Sequence, residues 1–142
     1  MRRLFSAGLC VLLFSFISCV NARIHDEHKA AGLGIEFLKN IMDKRYDAAY
    51  NLFDDAFKDK VSRQQFVKRT IANEKTLGSL LEAQLDYFMI VGTEPFLELI
   101  FSCRFEKKPS VPVHLIARQE GKSYKLTVFD VGYNYKVFGK DE

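Results

Sequence analysis

The chain has 142 residues, 27% charged, 48% hydrophobic and 13% aromatic, with a formal net charge of +3; this is the composition of one globular domain and excludes a disordered or collagenous chain. Arg2 and Arg3 stand before an apolar run from Leu4 to Val20 that holds no charge, and setting aside residues 1–22 leaves 19 basic against 18 acidic side chains, a net of +1. A near-neutral domain with interspersed signs lacks the gathered Lys and Arg that nucleic acid requires, so that class of partner is excluded.

Residues 1–22 read as an export signal, a basic start followed by an apolar run. Val20-Asn21-Ala22 places small residues where a signal peptidase reads them, giving a mature chain from Arg23. Phe16-Ile17-Ser18-Cys19 is a second reading, a lipoprotein box in which Cys19 is acylated, and an uncleaved anchor is a third. All three send the domain across a membrane, to a periplasmic or extracellular location, with membrane contact only through the signal or a lipid anchor. Cys10 and Cys19 belong to this segment, so Cys103 is left alone and no intramolecular disulfide is expected.

Residues 23–29 are expected to be a flexible segment, 30–138 a single domain and 139–142 a tail. Ala30, Leu33, Phe37 and Ile41 recur at steps of three and four, the mark of a helix ending near Lys44 and Arg45. Ala49, Leu52, Phe53, Ala56 and Phe57 mark the inner face of a second helix. Ser62 with Gln65 has the form of a capping box that starts a third, with Phe66, Thr70, Ile71 and Leu77 inward, and Gly78 stands where a left-handed residue stops it.

From Leu81 the period becomes two. Leu81, Ala83, Leu85, Tyr87 and Met89 are predicted inward on a first strand, and Leu97, Leu99, Phe101, Cys103 and Phe105 on a second, joined through Gly92 to Pro95. Lys107 to Ser110 lead to Val111–Gln119, and a tight Glu120-Gly121 loop returns the chain so that Val113 meets Val128, Leu115 meets Leu126 and Ala117 meets Tyr124. A break in alternation after Val128 predicts a bulge near Phe129 to Gly132. The fold class is α+β, three N-terminal helices packed on a curved four-stranded antiparallel sheet.

Lys44-Arg45-Tyr46-Asp47-Ala48-Ala49-Tyr50, Phe57-Lys58, Val61-Ser62-Arg63-Gln64-Gln65-Phe66, Leu77-Gly78 and the final Gly121 to Tyr135 strand together resemble a group of small secreted bacterial domains of unknown function, with Tyr124-Lys125 where that group usually has a Trp. The resemblance implies a nuclear transport factor 2-like, or cystatin-like, cone with room for a pocket between helices and sheet. It also implies relatives that are isomerases and dehydratases beside many that only bind or dimerise, so the site has to decide.

An enzyme of this shape needs an ionisable group inside the cone. The predicted inward positions hold no acid and no histidine, and Asp130, at the break in alternation, is the one catalytic candidate; a bulge residue bonding to backbone is the competing reading. Tyr46, Tyr50, Tyr87, Phe101 and Tyr133 are the pocket candidates. His25 and His28, with carboxylates between them, are metal-competent but lie at the chain start, where a solvated segment is the simpler reading. Cys103 reads as a small buried hydrophobe and His114 as a surface histidine. Ile100 and Ile116 interrupt the charged outer face of the sheet and are the candidates for a homodimer interface.

The sequence therefore favours a non-enzymatic envelope domain, without cofactor, that takes a small apolar ligand in the cone or a protein partner. The alternatives are a cone lyase or isomerase using Asp130 with a tyrosine, and an accessory subunit that dimerises through the outer sheet face. A pocket of a few hundred Å³ with a titratable floor marks the enzyme, one without such a residue marks the binder, and a filled interior marks an interaction module.

Overall fold

A computed structural model describes residues 27–91 and 96–132. Helix α1 covers 27–42, and α2 Tyr46–Asn51, α3 Asp55–Lys58 and α4 Arg63–Leu77 follow it. Strands β1 Leu80–Val91, β2 Phe96–Phe105, β3 Lys108–Glu120 and β4 Ser123–Val131 form one open antiparallel sheet in the order β1-β2-β3-β4. The fold is α+β, with four helices among the described residues rather than the three expected. The predicted second helix divides because Asp54 adopts an extended conformation (ψ 170°) and its side chain caps α3, Oδ1 accepting the Phe57 amide at 2.8 Å. At the break, Leu52 to Asp54 run beside β4: the Leu126 amide donates to Leu52 O (3.0 Å) and the Asp54 amide to Leu126 O (2.8 Å).

The local punctuation of α4 is as the sequence predicts. Ser62 Oγ accepts the Gln65 amide and Gln65 Oε1 accepts the Ser62 amide, a complete capping box. Gly78 ends the helix at φ 83°, and a Cβ there would stand 2.6 Å from that of Glu106. Both left-handed backbone and contact demand glycine.

Strand β2 alternates as predicted, with Leu97, Leu99, Phe101, Cys103 and Phe105 buried toward the helices. Strand β1 does not keep its predicted phase. Register shifts leave Leu81 and Asp86 as extra residues, so Leu85 pairs with Phe101 but Tyr87 then pairs with Ile100, Phe88 with Leu99 and Met89 with Glu98. Ala83, Leu85, Phe88 and Ile90 therefore share the helix side of the sheet, and Tyr87 and Met89, expected inward, lie on the outer side.

The β3–β4 register also differs from expectation. Glu120 pairs with Ser123 around a Gly121-Lys122 turn, with Gly121 at φ 61°, and the bulge falls at Thr127 rather than after Val128. Val113 meets Val131, Leu115 meets Phe129 and Ala117 meets Leu126. Advancing the register by two and inserting Thr127 brings Leu126, Phe129 and Val131 onto the core side together. The connector before β3 is correspondingly shorter than predicted, since β3 already begins at Lys108.

The core is aromatic at its centre. Phe37 of α1 meets Phe53 edge-on at 5.4 Å and Phe129 at 4.9 Å between ring centroids, and Phe53 stacks on Phe57 at 3.8 Å. Gly34 lets α1 lie close on the sheet, where an added Cβ would be 2.9 Å from the Phe101 ring.

Candidate functional site

Beneath the helices there is little empty space. The cavity between α1, α4 and the sheet holds about 30 Å³ and is walled mainly by Leu38, Ile41, Met42, Leu80, Phe105 and Phe129. Small-molecule sites occupy roughly 300–1,000 Å³, so the core beneath the helices is packed here and the gap is too small for such a ligand.

A polar cluster closes the rim of this gap. Glu74, on the last turns of α4, takes a hydrogen bond from Tyr46 Oη on Oε2 (2.8 Å), and on Oε1 one from Ser79 Oγ (3.1 Å) and the ammonium of Lys44 (2.7 Å). Hydrogen bonds from Lys44 and then Tyr46 hold the Glu74 carboxyl below the usual carboxylate range, and burial followed by the bond to Glu74 pushes the Tyr46 phenol up to about 12. A general base for neutral-pH chemistry needs the opposite, a carboxylate raised toward working pH. The cluster is a strut joining the start of α2, the end of α4 and the start of β1.

The predicted site residues are scattered. Tyr46 reaches the cavity rim as a member of that strut. Tyr50 donates to Val61 O (2.8 Å) and packs on Phe57 and Phe66, away from the cavity. Phe101 is fully buried core beneath Gly34. Tyr87 is corrected to the exposed outer side, where its hydroxyl donates to Met89 Sδ (3.1 Å). Asp130 is exposed on the outer side of β4, in register with His114, and does not enter the cavity. His28 is exposed at the start of α1; Cys19, His25 and Tyr133 lie outside the described residues. Among the described residues no group of three His, Cys, Asp or Glu side chains is arranged to hold a metal ion. Cys103 is buried, and burial pushes its thiol up to about 12, which removes it as a nucleophile.

Two features of the surface were not legible in the sequence. His114, expected at the surface, is 7% exposed, and its Nε2 lies 2.7 Å from Glu98 Oε1 on the outer side of the sheet, between Ile100 and Ile116. Glu98 and His114 are diagonal neighbours across β2 and β3, with Ile116 opposite Glu98 and Ile100 opposite His114. Outward parity, correctly read for both residues, did not mean exposure.

The second feature is the far end of the β1–β2 hairpin. Tyr87, Phe88, Met89 and Ile90 are each between 39% and 45% exposed, Phe88 and Ile90 on the helix side and Tyr87 and Met89 on the outer side. Both sides of the strand are apolar there. By contrast, the broad groove between α2 and α4 has a basic rim whose Lys44, Arg45 and Arg63 are paired with Glu74, Asp43 and Asp47. These own-chain acids offset much of the field an acidic ligand would meet.

Among the described residues, no helix is long and apolar enough to cross a membrane. No protein-family model matches the chain, and no curated protein matches it.

Proposed function

We propose that this chain is an exported, non-enzymatic interaction domain of the cell envelope that meets a protein partner through the apolar end of its β1–β2 hairpin, on a scaffold of the nuclear transport factor 2-like cone type. One contrast carries the reading: a cavity of about 30 Å³ inside, against four consecutive large apolar side chains outside. Apolar surface left in water at one place is the usual footprint of a partner, whereas a filled interior has no volume for an apolar guest. The lyase reading through Asp130 loses its support, because a base on an exposed sheet face has no enclosed volume in which to hold a substrate. The apolar run of Leu4 to Val20 behind Arg2 and Arg3 supports export. The helices followed by an antiparallel sheet are compatible with the cone.

A photoreactive amino acid at position 89 of the full chain, in the cells that produce it, tests this. Irradiation is expected to yield a discrete protein adduct from position 89 and none from position 122, in the exposed turn before β4. Absence of any protein adduct at 89 would refute the reading. Turnover of carbonyl or hydroxy-acid substrates, abolished by Asp130→Asn, would replace it with the enzyme.

A further inference from the structure

We infer that the partner at this site is a second copy of the same chain, joined by antiparallel pairing of the two β1 edges over Tyr87–Ile90 into one continuous eight-stranded sheet; the inference rests on the interaction reading above and names its partner.

Among the described residues, strand order leaves β1 at an end of the sheet, with β2 on one side. An edge strand presents backbone donors and acceptors to any strand that can lie beside it, and proteins that stay monomeric protect such edges with bulges, inward charge, Lys or Pro. In β1 the protection is confined to the first half, which carries bulges at Leu81 and Asp86 and the acids Glu82 and Asp86. From Tyr87 to Ile90 the ladder with β2 is regular and no residue is charged or proline. The unprotected half is also the half whose side chains are exposed on both sides of the sheet.

The sequence there is self-complementary. A two-fold axis through Met89 sets each Phe88 against the Ile90 of the other copy on the helix side, twice by symmetry, and Met89 against Met89 on the outer side. Side chains two residues apart share a face, so every contact in this register joins like faces. The two Asp86 residues are then held about 20 Å apart, six residues at about 3.3 Å each, and do not repel. An isologous interface requires this kind of reading in both directions about one centre.

The area agrees with a reversible dimer. Four side chains of roughly 150–250 Å² at about two-fifths exposure offer about 240–400 Å² per copy, or about 480–800 Å² together. The facing backbones add to this, which brings the total toward the roughly 1,200 Å² at the lower end of specific interfaces.

The test uses the mature chain in solution. Light scattering after size exclusion is expected to show a dimer that dissociates on dilution, and Met89→Lys, which puts two ammonium groups at the axis, is expected to weaken it at least tenfold while circular dichroism stays unchanged. Mild oxidation of Met89→Cys is expected to give a disulfide-linked dimer, and of Gln84→Cys none. A monomer at every concentration together with no disulfide at position 89 would overturn the inference. So would cross-linking of Ile100→Cys or Ile116→Cys in place of Met89→Cys, which would put the contact on the outer face instead of the edge. The photo-adduct at position 89 separates the two readings: twice the chain mass supports self-pairing, a different protein overturns it while leaving the interaction reading intact, and no adduct removes both.

Discussion

Gly32 and Gly34 lie two residues apart in α1 but in different surroundings, and alanine at each should move stability in opposite directions. A Cβ at Gly32 would meet nothing within 4 Å, whereas at Gly34 it would stand 2.9 Å from Phe101 Cε2 and Cζ and 3.1 Å from Leu99 Cδ1. Both substitutions gain the same helix propensity, about 1 kcal/mol. At Gly34 this gain meets an overpacking cost of about 1–3 kcal/mol, because the Phe101 ring is 0% exposed and Leu99 only 1%, so neither has free space to move into. Gly32→Ala should therefore stabilise by about 1 kcal/mol and Gly34→Ala destabilise by up to about 2 kcal/mol. Propensity cancels in the difference between them, which reads the α1–sheet contact alone. For a domain of this size about 1 kcal/mol corresponds to about 4 °C, so melting followed by circular dichroism should separate the two variants by about 4–12 °C, with urea midpoints in the same order. Equal shifts of the same sign would refute the close packing of α1 on β2 at this glycine.

Asp54→Ala should cost about 1–3 kcal/mol in urea unfolding, since it removes the cap on Phe57 and one of the two carboxylates paired with the Arg118 guanidinium, 3.1 Å away; an unchanged midpoint would remove Asp54 from the account of the α2–α3 break. Ultraviolet titration should show the Tyr46 phenol resisting ionisation to about pH 12. Its folded pKa lies above the ordinary value of 10.0, so the stability it contributes is whole below pH 10 and is lost as pH rises through 12. Glu74→Ala should bring that phenol only part of the way down, because burial, the larger cause, persists. A complete transition near pH 10 in the unaltered chain would contradict the Tyr46–Glu74 bond.

What the sequence made legible was local. Ser62 and Gln65 specify a capping box by themselves, Gly78 specifies a stop, and in β2 Glu98, Ser102 and Arg104 fix the outer face despite Ile100 among them. Strand β1 was misread because Tyr87, Phe88, Met89 and Ile90 are all apolar: with no polar residue to set the phase, a bulge at Asp86 leaves no trace in the pattern. The same indeterminacy marks a strand apolar on both sides. The α2–α3 break was hidden because Leu52, Phe53, Ala56 and Phe57 keep helical spacing across it, although Asp54 is a good cap residue. The Glu74 strut joins residues about 30 positions apart and had no local signal at all. Asp130 attracted a catalytic reading because the bulge was placed two residues late, which left its face undecided.

The contact of Leu52 to Asp54 with Leu126 has a consequence for how far assembly can proceed. A sheet that adds strands at both ends grows without limit, as fibrils do, whereas one that adds at a single end stops at two copies. Here the β4 end carries the chain's own backbone at Leu126, whose amide and carbonyl are both bonded to the Leu52–Asp54 segment. A dimer formed at β1 as inferred above would meet this contact at both far ends of its sheet, which opposes growth from a finite pair into a filament.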